Sequence, residues 1–208
     1  MPAACRSSRR SAPGKRRSRP RWPSAALPEA KMSGKQRLFI ALWPQPCLAD
    51  ALSDLQSELG CAGRPVARGQ LHMTLLFVGA GERARVAEAG AQAAARAESV
   101  ELALDKIGFF DRAGVIWVGP RVTPAALAAL HREVRRQLRY QGQSFDGKRW
   151  HPHVTLFRKA QPPVRRVLDR PLHWRVAEQA LLASQLSSNG PKYEVLARWP
   201  LGGGGARS

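Results

Sequence analysis

The sequence is short of acidic residues. It holds 15 Asp and Glu against 34 Lys and Arg, which gives a formal net charge of +19 at pH 7. No cluster of carboxylates offers a site for Mg²⁺, which prefers oxygen ligands of this kind. A basic surplus of this size suits a polyanionic partner such as RNA, although an Arg-rich composition in an ordinary soluble protein would produce the same surplus.

Cysteines are also few, and long apolar runs are absent. The three cysteines, Cys5, Cys47 and Cys61, form no C-x-x-C pair, which argues against a zinc site or a disulfide framework and favours a reducing cytosol. No window approaches the roughly 18 consecutive apolar residues of a membrane helix, and no apolar segment near residue 1 resembles a secretory signal. We expect a cytoplasmic protein that makes no membrane contact, and a monomer.

The first 36 residues differ in composition from the rest. They hold ten Lys or Arg and one acid, Glu29. We expect residues 1–36 to form a disordered basic extension, because such a segment buries too little apolar surface to fold. Its composition also resembles an organelle transit peptide, and a third interpretation, which we favour, is that Met32 is the true start. The predicted domain spans residues 37–201, and residues 202–208 are expected to form a flexible tail.

Apolar patterns within residues 37–201 predict seven strands and three helices. The strands cover residues 37–42, 71–78, 100–110, 115–118, 152–158, 172–186 and 192–199, and the helices cover residues 47–59, 82–97 and 124–140. A Pro- and Arg-rich connection at residues 162–170 precedes the last two strands. We expect an α+β fold of two lobes, with two mainly antiparallel sheets flanked by helices and a central cleft between them.

Two segments share the pattern His-x-Thr followed by apolar residues, at His72-Met73-Thr74 and His153-Val154-Thr155. Residues two apart in a strand point to the same face, so each imidazole lies beside a hydroxyl. An unperturbed His has a pKa of about 6.5, so near neutral pH one can be neutral while its partner is protonated. Two histidines and two hydroxyl donors around one point suit acid–base attack on a phosphodiester.

These segments resemble the 2H phosphoesterase superfamily, and within it the bacterial and archaeal RNA 2′,3′-cyclic phosphodiesterases, historically called 2′-5′ RNA ligases. The similarity covers most of residues 37–201 and rests on two motifs about 80 residues apart, each inside a strand. One motif alone occurs by chance, whereas two at this spacing with matching flanks form a specific signal. The segments that carry the similarity are Leu38–Leu42, His72–Gly79, Pro152–Arg158, Ser184–Ser187 and Gly190–Leu196.

The resemblance implies a bilobal fold and opening of a terminal 2′,3′-cyclic phosphate of RNA to a 2′-phosphomonoester, without metal or cofactor. It implies His153 as the general base that activates water and His72 as the general acid that protonates the departing ribose O3′. Thr74 and Thr155 would bind the non-bridging phosphate oxygens, and Arg158 would lie near the substrate. The implied partner is an RNA with a 2′,3′-cyclic phosphate end, tRNA fragments included. Run in reverse, the same groups would join a 2′-phosphate end to a 5′-hydroxyl end.

Two other functions stay open on the residues alone. A non-catalytic module of the same fold could bind RNA ends, although a binder has no need for both histidines and both threonines. Alternatively, the phosphodiesterase could act on 2′-5′-linked oligonucleotides or on small cyclic nucleotides. Assays on mononucleotide 2′,3′-cyclic phosphates beside oligonucleotide ends would separate these substrates.

The sequence also suggests positions for three further residues, on weaker grounds. His131, among the arginines of the helix 124–140, is expected on the surface. Trp150, just before the second motif, is expected to be exposed and able to stack on a terminal base. His151 and His153 alone make an incomplete metal site, because zinc usually takes three or four protein ligands, so no metal is expected.

Overall fold

The computed structural model describes residues 37–162, 167–187 and 190–202. The expectations for the extension 1–36, for Met32 and for residues 203–208 of the tail lie outside this described part. No helix among the described residues is both long enough and apolar enough to cross a membrane.

The described part contains nine strands and three α-helices. The strands are β1 (Arg37–Leu42), β2 (Arg64–Pro65), β3 (Met73–Ala80), β4 (Val100–Phe110), β5 (Val115–Gly119), β6 (Val154–Arg158), β7 (Val167–Val176), β8 (Glu178–Ser187) and β9 (Gly190–Pro200), and the helices are α1 (Pro46–Leu59), α2 (Arg83–Ala95) and α3 (Ala125–Tyr140). The order in the sheet is β7-β4-β5-β6-β3-β1-β8-β9, and β2 pairs with β6 beside this path. The predicted α+β class with mainly antiparallel strands is confirmed.

The two predicted sheets correspond to two halves of one hydrogen-bonded ladder. One half contains β3, β1, β8 and β9, and the other contains β7, β4, β5 and β6 with β2 at its side. Among the residues that the structure describes, the halves meet at a single antiparallel pair, Met73 with Val154. A pattern of apolar residues predicts each half, but it does not reveal that one pair joins them.

The prediction of one strand over residues 172–186 is wrong. The structure has two strands, β7 and β8, which are separated by Ala177. β7 begins at Val167 and includes Pro171, so residues 167–170 of the predicted connection belong to this strand. Among the described strands β7 pairs only with β4 and forms an edge of the sheet. Its other side needs no backbone donor, and proline is tolerated in edge strands for this reason.

All three helices pack against one face of the sheet. Their buried side chains share one apolar cluster with alternate residues of the central strands, such as Leu38 and Ile40 of β1. The opposite face of β1 and β8 carries a much smaller cluster of four residues: Phe39, Ala41, Ala180 and Leu182. One face of the sheet therefore holds the main core, and the other is left for a cleft.

Two of the weaker expectations are wrong. His131 is 7% exposed, and its ring stacks on Trp150, with centroids 4.2 Å apart and planes 8° apart. The indole N–H of Trp150 donates to the backbone carbonyl of Thr74 at 3.0 Å. Trp150 is therefore half-buried rather than exposed, and one face of its ring and its indole N–H take part in packing and in the support of β3.

We predict that Trp150→Phe destabilises the protein. The substitution keeps a ring against His131 but removes the N–H that pairs with the Thr74 carbonyl, and an unpaired, partly buried acceptor costs about 1–3 kcal/mol. Urea denaturation should show a free energy of unfolding lower by about 1–2 kcal/mol. Tyr140→Phe is the control, because Tyr140 is 85% exposed and should change stability by less than about 0.5 kcal/mol. An unchanged midpoint in Trp150→Phe would contradict the prediction.

Candidate active site

The register of β3 against β6 brings the two His-x-Thr motifs together. Met73 and Val154 are paired and fully buried on the helix side of the sheet. In an antiparallel pair the flanking residues then face each other on the opposite side, His72 towards Thr155 and Thr74 towards His153. The four predicted site residues therefore alternate around one point of the open face, with the two histidines on a diagonal.

Each motif is followed by a bulge that alters the alternation of faces. The pairing of β1 with β3 skips Leu75, and the pairing of β5 with β6 skips Leu156. As a result, the residues three positions beyond each threonine, Phe77 and Arg158, are exposed while the two residues between are buried. A bulge re-aims the side chains that follow it, so Arg158 reaches the same face as Thr155.

Both histidines are held through the same ring nitrogen. Nδ1 of His72 lies 2.7 Å from the carbonyl oxygen of Gln70, and Nδ1 of His153 lies 2.7 Å from that of His151. A carbonyl oxygen only accepts hydrogen bonds, so Nδ1 carries the proton in both rings. In the neutral imidazole this leaves Nε2 as an unprotonated acceptor.

Aromatic rings surround His72. Its ring is parallel to that of Trp43, with centroids 5.6 Å apart, and it meets Tyr193 edge-on at 5.0 Å and Phe39 at 5.4 Å. The sequence did not predict these neighbours as site residues. Trp43 directly follows β1 and Tyr193 lies in β9, so no local pattern links them to His72.

His153 lies against a different group of rings. Phe110 meets it edge-on at 5.0 Å, and Trp117 lies 6.0 Å away between centroids. The indole of Trp117 occupies the space over its cross-strand partner Gly108, where any Cβ would overlap it. His151 packs on the same indole at 4.4 Å, which gives this third histidine a packing role.

A cavity of about 640 Å³ opens beside His72. The described residues lining it are Arg64, Pro65, Val66, Ala67, Gln70, His72, Ala113, Thr155, Arg158, Lys159 and Tyr193. Of the predicted site residues, His72, Thr155 and Arg158 thus line it, whereas Thr74 and His153 lie outside its lining. The buried amide of Gln56 in α1 secures one wall, since its Nε2 donates to the carbonyls of Val66 and Leu156 at 3.0 and 2.7 Å.

Burial lowers the pKa of both imidazoles and so favours their neutral form in the free protein. Loss of hydration lowers the pKa of His72 from 6.5 to about 4, against the opposing effect of its bond to the Gln70 carbonyl. Loss of hydration also lowers the pKa of His153, with smaller contributions from His151 and Arg158. Arg158 and His153 each lower the pKa of His72 further through their charge, which shows that these three groups share one electrostatic environment.

Metal ligands are not assembled in the described part of the chain. No group of three or more His, Cys, Asp or Glu side chains there is arranged to hold an ion. The groups that the geometry does assemble are two imidazoles, two hydroxyls and a guanidinium. These can exchange protons with a phosphate ester and bind its oxygens.

Comparisons with known proteins identify similar sequences and similar folds. The sequence model of the 2′-5′ RNA ligase superfamily matches residues 44–186. The RNA 2′,3′-cyclic phosphodiesterase of Escherichia coli strain K12 is 34% identical over 186 residues, which are 82% of this chain and 99% of that protein. The crystal structure of E. coli LigT in apo form has a TM-score of 0.68 at 30% identity, covering 81% of this chain and 99% of LigT. That of TT0787 from Thermus thermophilus has a TM-score of 0.69 at 28% identity, covering 79% and 97%.

We predict that nuclear magnetic resonance of ¹⁵N-labelled histidine will show the Nδ1–H tautomer for His72 and His153 at pH 7. The reason is the carbonyl acceptor that each Nδ1 faces at 2.7 Å. A titration should give His72 a pKa of about 4. An Nε2–H tautomer, or a His72 pKa at the unperturbed value of about 6.5, would contradict this description of the site.

Proposed function

The chain belongs to the 2′-5′ RNA ligase superfamily, and we propose that it is an RNA 2′,3′-cyclic phosphodiesterase, which hydrolyses the cyclic phosphate at the end of an RNA to a 2′-phosphomonoester. The E. coli relative that it matches over nearly its whole length carries that name. The strongest support is the register of β3 against β6, in which two imidazoles and two hydroxyls share one open face.

His153 is the general base and His72 the general acid in this proposal. The unprotonated Nε2 of His153 takes a proton from water, and the water oxygen forms a bond to phosphorus. The bond from phosphorus to O3′ breaks, and O3′ takes the proton from Nε2 of His72, so the phosphate stays on O2′. Support comes from the Nδ1 bonds to backbone carbonyls, which leave Nε2 as the reacting nitrogen in both rings.

Thr74 and Thr155 bind the two non-bridging oxygens, and Arg158 compensates the charge that develops on them. Their positions suit these roles, because each threonine faces the histidine of the other motif. The bulge at Leu156 turns Arg158 to the same face. Donors already in position need no reorganisation as the transition state forms, which is where electrostatic stabilisation is most effective.

In this proposal, binding of the substrate raises the pKa of His72 and leads to its protonation. Burial holds the pKa of His72 at about 4 in the free protein, so the imidazole is neutral near pH 7. A bound phosphodiester is an anion, and an opposite charge beside an imidazole raises its pKa. His72 therefore becomes protonated when the substrate is bound, and it stays neutral when the site holds only water.

We also place the reaction in the cytoplasm, with an RNA end as partner and a monomer as the working unit. In the described part of the chain, Cys47 and Cys61 are both free thiols, as in proteins of a reducing compartment. One chain supplies both histidines and both threonines. The source of the RNA ends, with tRNA fragments as one candidate, is part of this proposal.

We predict that His72→Ala and His153→Ala each lower hydrolysis of an RNA oligonucleotide ending in a 2′,3′-cyclic phosphate by a factor of about 10²–10⁴, the usual contribution of a general acid or base. The assay is run with EDTA present, and the product terminus is identified as a 2′-phosphate. His173→Ala is the matched control, since His173 is exposed on the edge strand β7. Full activity in either site variant would remove that histidine from the mechanism, and RNA binding without turnover by the wild type would favour the non-catalytic module.

We predict a pH profile of kcat/KM that is displaced to the acid side. This parameter reports the free enzyme, in which both histidine pKa values are lowered, that of His72 to about 4. Because the reaction needs one protonated and one neutral ring, the profile should peak below pH 6.5 and fall as pH rises further. The alkaline limb of kcat should lie at higher pH, since bound substrate raises the pKa of the acid.

Arg158→Gln provides a second arm of this pH experiment. The arginine charge lowers the pKa of both histidines, so its removal should move the alkaline limb of kcat/KM to higher pH while the maximum falls. A wild-type profile centred above pH 7, or no displacement in Arg158→Gln, would contradict the proposed electrostatics.

A further inference from the structure

One end of the cavity is strongly basic. Arg64 of β2, Arg158 at the end of β6 and Lys159 just beyond it line the cavity together; we call these three residues the basic rim. Among the described residues that line the cavity, none is Asp or Glu. The rim begins three residues beyond Thr155, so it continues outward from the reacting centre along β6.

Arg64 and Arg158 lie directly opposite each other in the sheet. An anion bound between them would accept charge-assisted hydrogen bonds from two planar guanidinium groups. The pairing of two arginines at the mouth of a cavity therefore favours an anionic ligand.

The backbone beneath the rim is closely packed. The amide of Gln161 donates to the carbonyl of Ala62 at 3.3 Å. A Cβ at Gly63 would overlap Ala160, and Gly63 has a φ of 146° that side chains rarely allow. The segment before β2 thus lies against the segment after β6, which fixes the separation of the basic groups that they carry.

Lys159 has an unusual backbone conformation. Its φ of 51° lies in the left-handed region, and it is the one non-glycine residue with positive φ in the described part of the chain. Such conformations are strained and tend to occur at functional sites. The hydrogen bond from the amide of Ala160 to the carbonyl of Gly114, at 3.0 Å, holds this turn in place.

The proposed chemistry orients the RNA relative to the rim. In an in-line displacement, water and O3′ lie on opposite sides of phosphorus, so the ribose lies on the side of His72. His72 faces Thr155 and lines the same cavity as the basic rim. In the binding mode proposed below, the 5′ side of the last nucleotide lies along this cavity, away from His153.

We propose that the basic rim binds the phosphodiester joining the last two nucleotides of the substrate, so that the RNA leaves the cleft across β2. This inference rests on the proposed function and on His72 as the acid. It adds Arg64 and Lys159 to the residues that bind substrate. It also makes an oligonucleotide end a better substrate than a nucleoside cyclic phosphate, because only the former has this phosphate.

The other end of the site is different in character. Phe77, which is 54% exposed, follows Thr74 on the cleft face, and Phe110 and Trp117 pack around His153. An RNA that left the cleft at that end would place its next phosphate against aromatic rings. In that case, removal of charge from the basic rim would have no specific effect on dinucleotide substrates.

The test compares two dinucleotide 2′,3′-cyclic phosphates that differ only in the linkage between the nucleosides, an ordinary phosphodiester or an uncharged methylphosphonate. The wild type should have a kcat/KM about tenfold higher for the charged linkage, a typical effect of a hydrogen bond to a charged group. Arg64→Gln and Lys159→Asn should each reduce this ratio, and the double variant should bring it close to one. Asn is used at position 159 because it tolerates a positive φ.

Arg170→Gln is the matched control, an exposed arginine on the edge strand β7 whose loss should leave the ratio at its wild-type value. Hydrolysis of the methylphosphonate dinucleotide reports folding and chemistry in every variant. A wild-type ratio near one, or an unchanged ratio in the double variant, would overturn the inference while leaving the phosphodiesterase proposal in place. No hydrolysis of either dinucleotide by the wild type would overturn the phosphodiesterase proposal, and the inference with it.

Discussion

The site depends on one backbone pair. Met73 and Val154 join the two halves of the sheet, and both are fully buried under the helices. Because strand residues alternate between faces, a slip of one residue would turn a histidine and a threonine into the core and expose apolar side chains. Burial of apolar side chains, at about 25 cal/mol per Å², therefore fixes the register in which His72 and His153 meet. The same register therefore determines both the packing of the core and the arrangement of the candidate site residues.

The alternation of strand residues explains how much of the site could be predicted. It places His72 beside Thr74 and His153 beside Thr155 without any knowledge of the fold. The same rule puts Arg158, three residues beyond Thr155, on the wrong face, and the structure brings it back only through the bulge at Leu156. A bulge depends on the partner strand, so the residue sequence of β6 alone carries no sign of it.

Contacts between distant parts of the chain also could not be predicted from the sequence. Strong apolar periodicity located the helices and most strands, but not the division between β7 and β8, nor the pair that makes one ladder of the two halves. Trp43 and Tyr193 are 150 residues apart, yet both contact His72. His131 looked like a surface residue among arginines, and only the stacking on Trp150 explains its burial. Such pairs are decided by packing across the whole domain, which no local window contains.

The repeated motif has a consequence in terms of symmetry. An antiparallel pair has a local two-fold axis between its strands, here passing between Met73 and Val154, and it exchanges one His-x-Thr motif with the other. A phosphodiester has a matching two-fold axis that exchanges its two non-bridging oxygens and its two ester oxygens. In the proposed reaction, the axis between the strands exchanges the water beside His153 with the departing O3′ beside His72, and the two motifs alone would let either histidine act as the acid. The positions where the exchange fails, Phe77 on one strand and Arg158 on the other, make the two sides of the site unequal, and in the proposed reaction this difference decides which side receives the ribose.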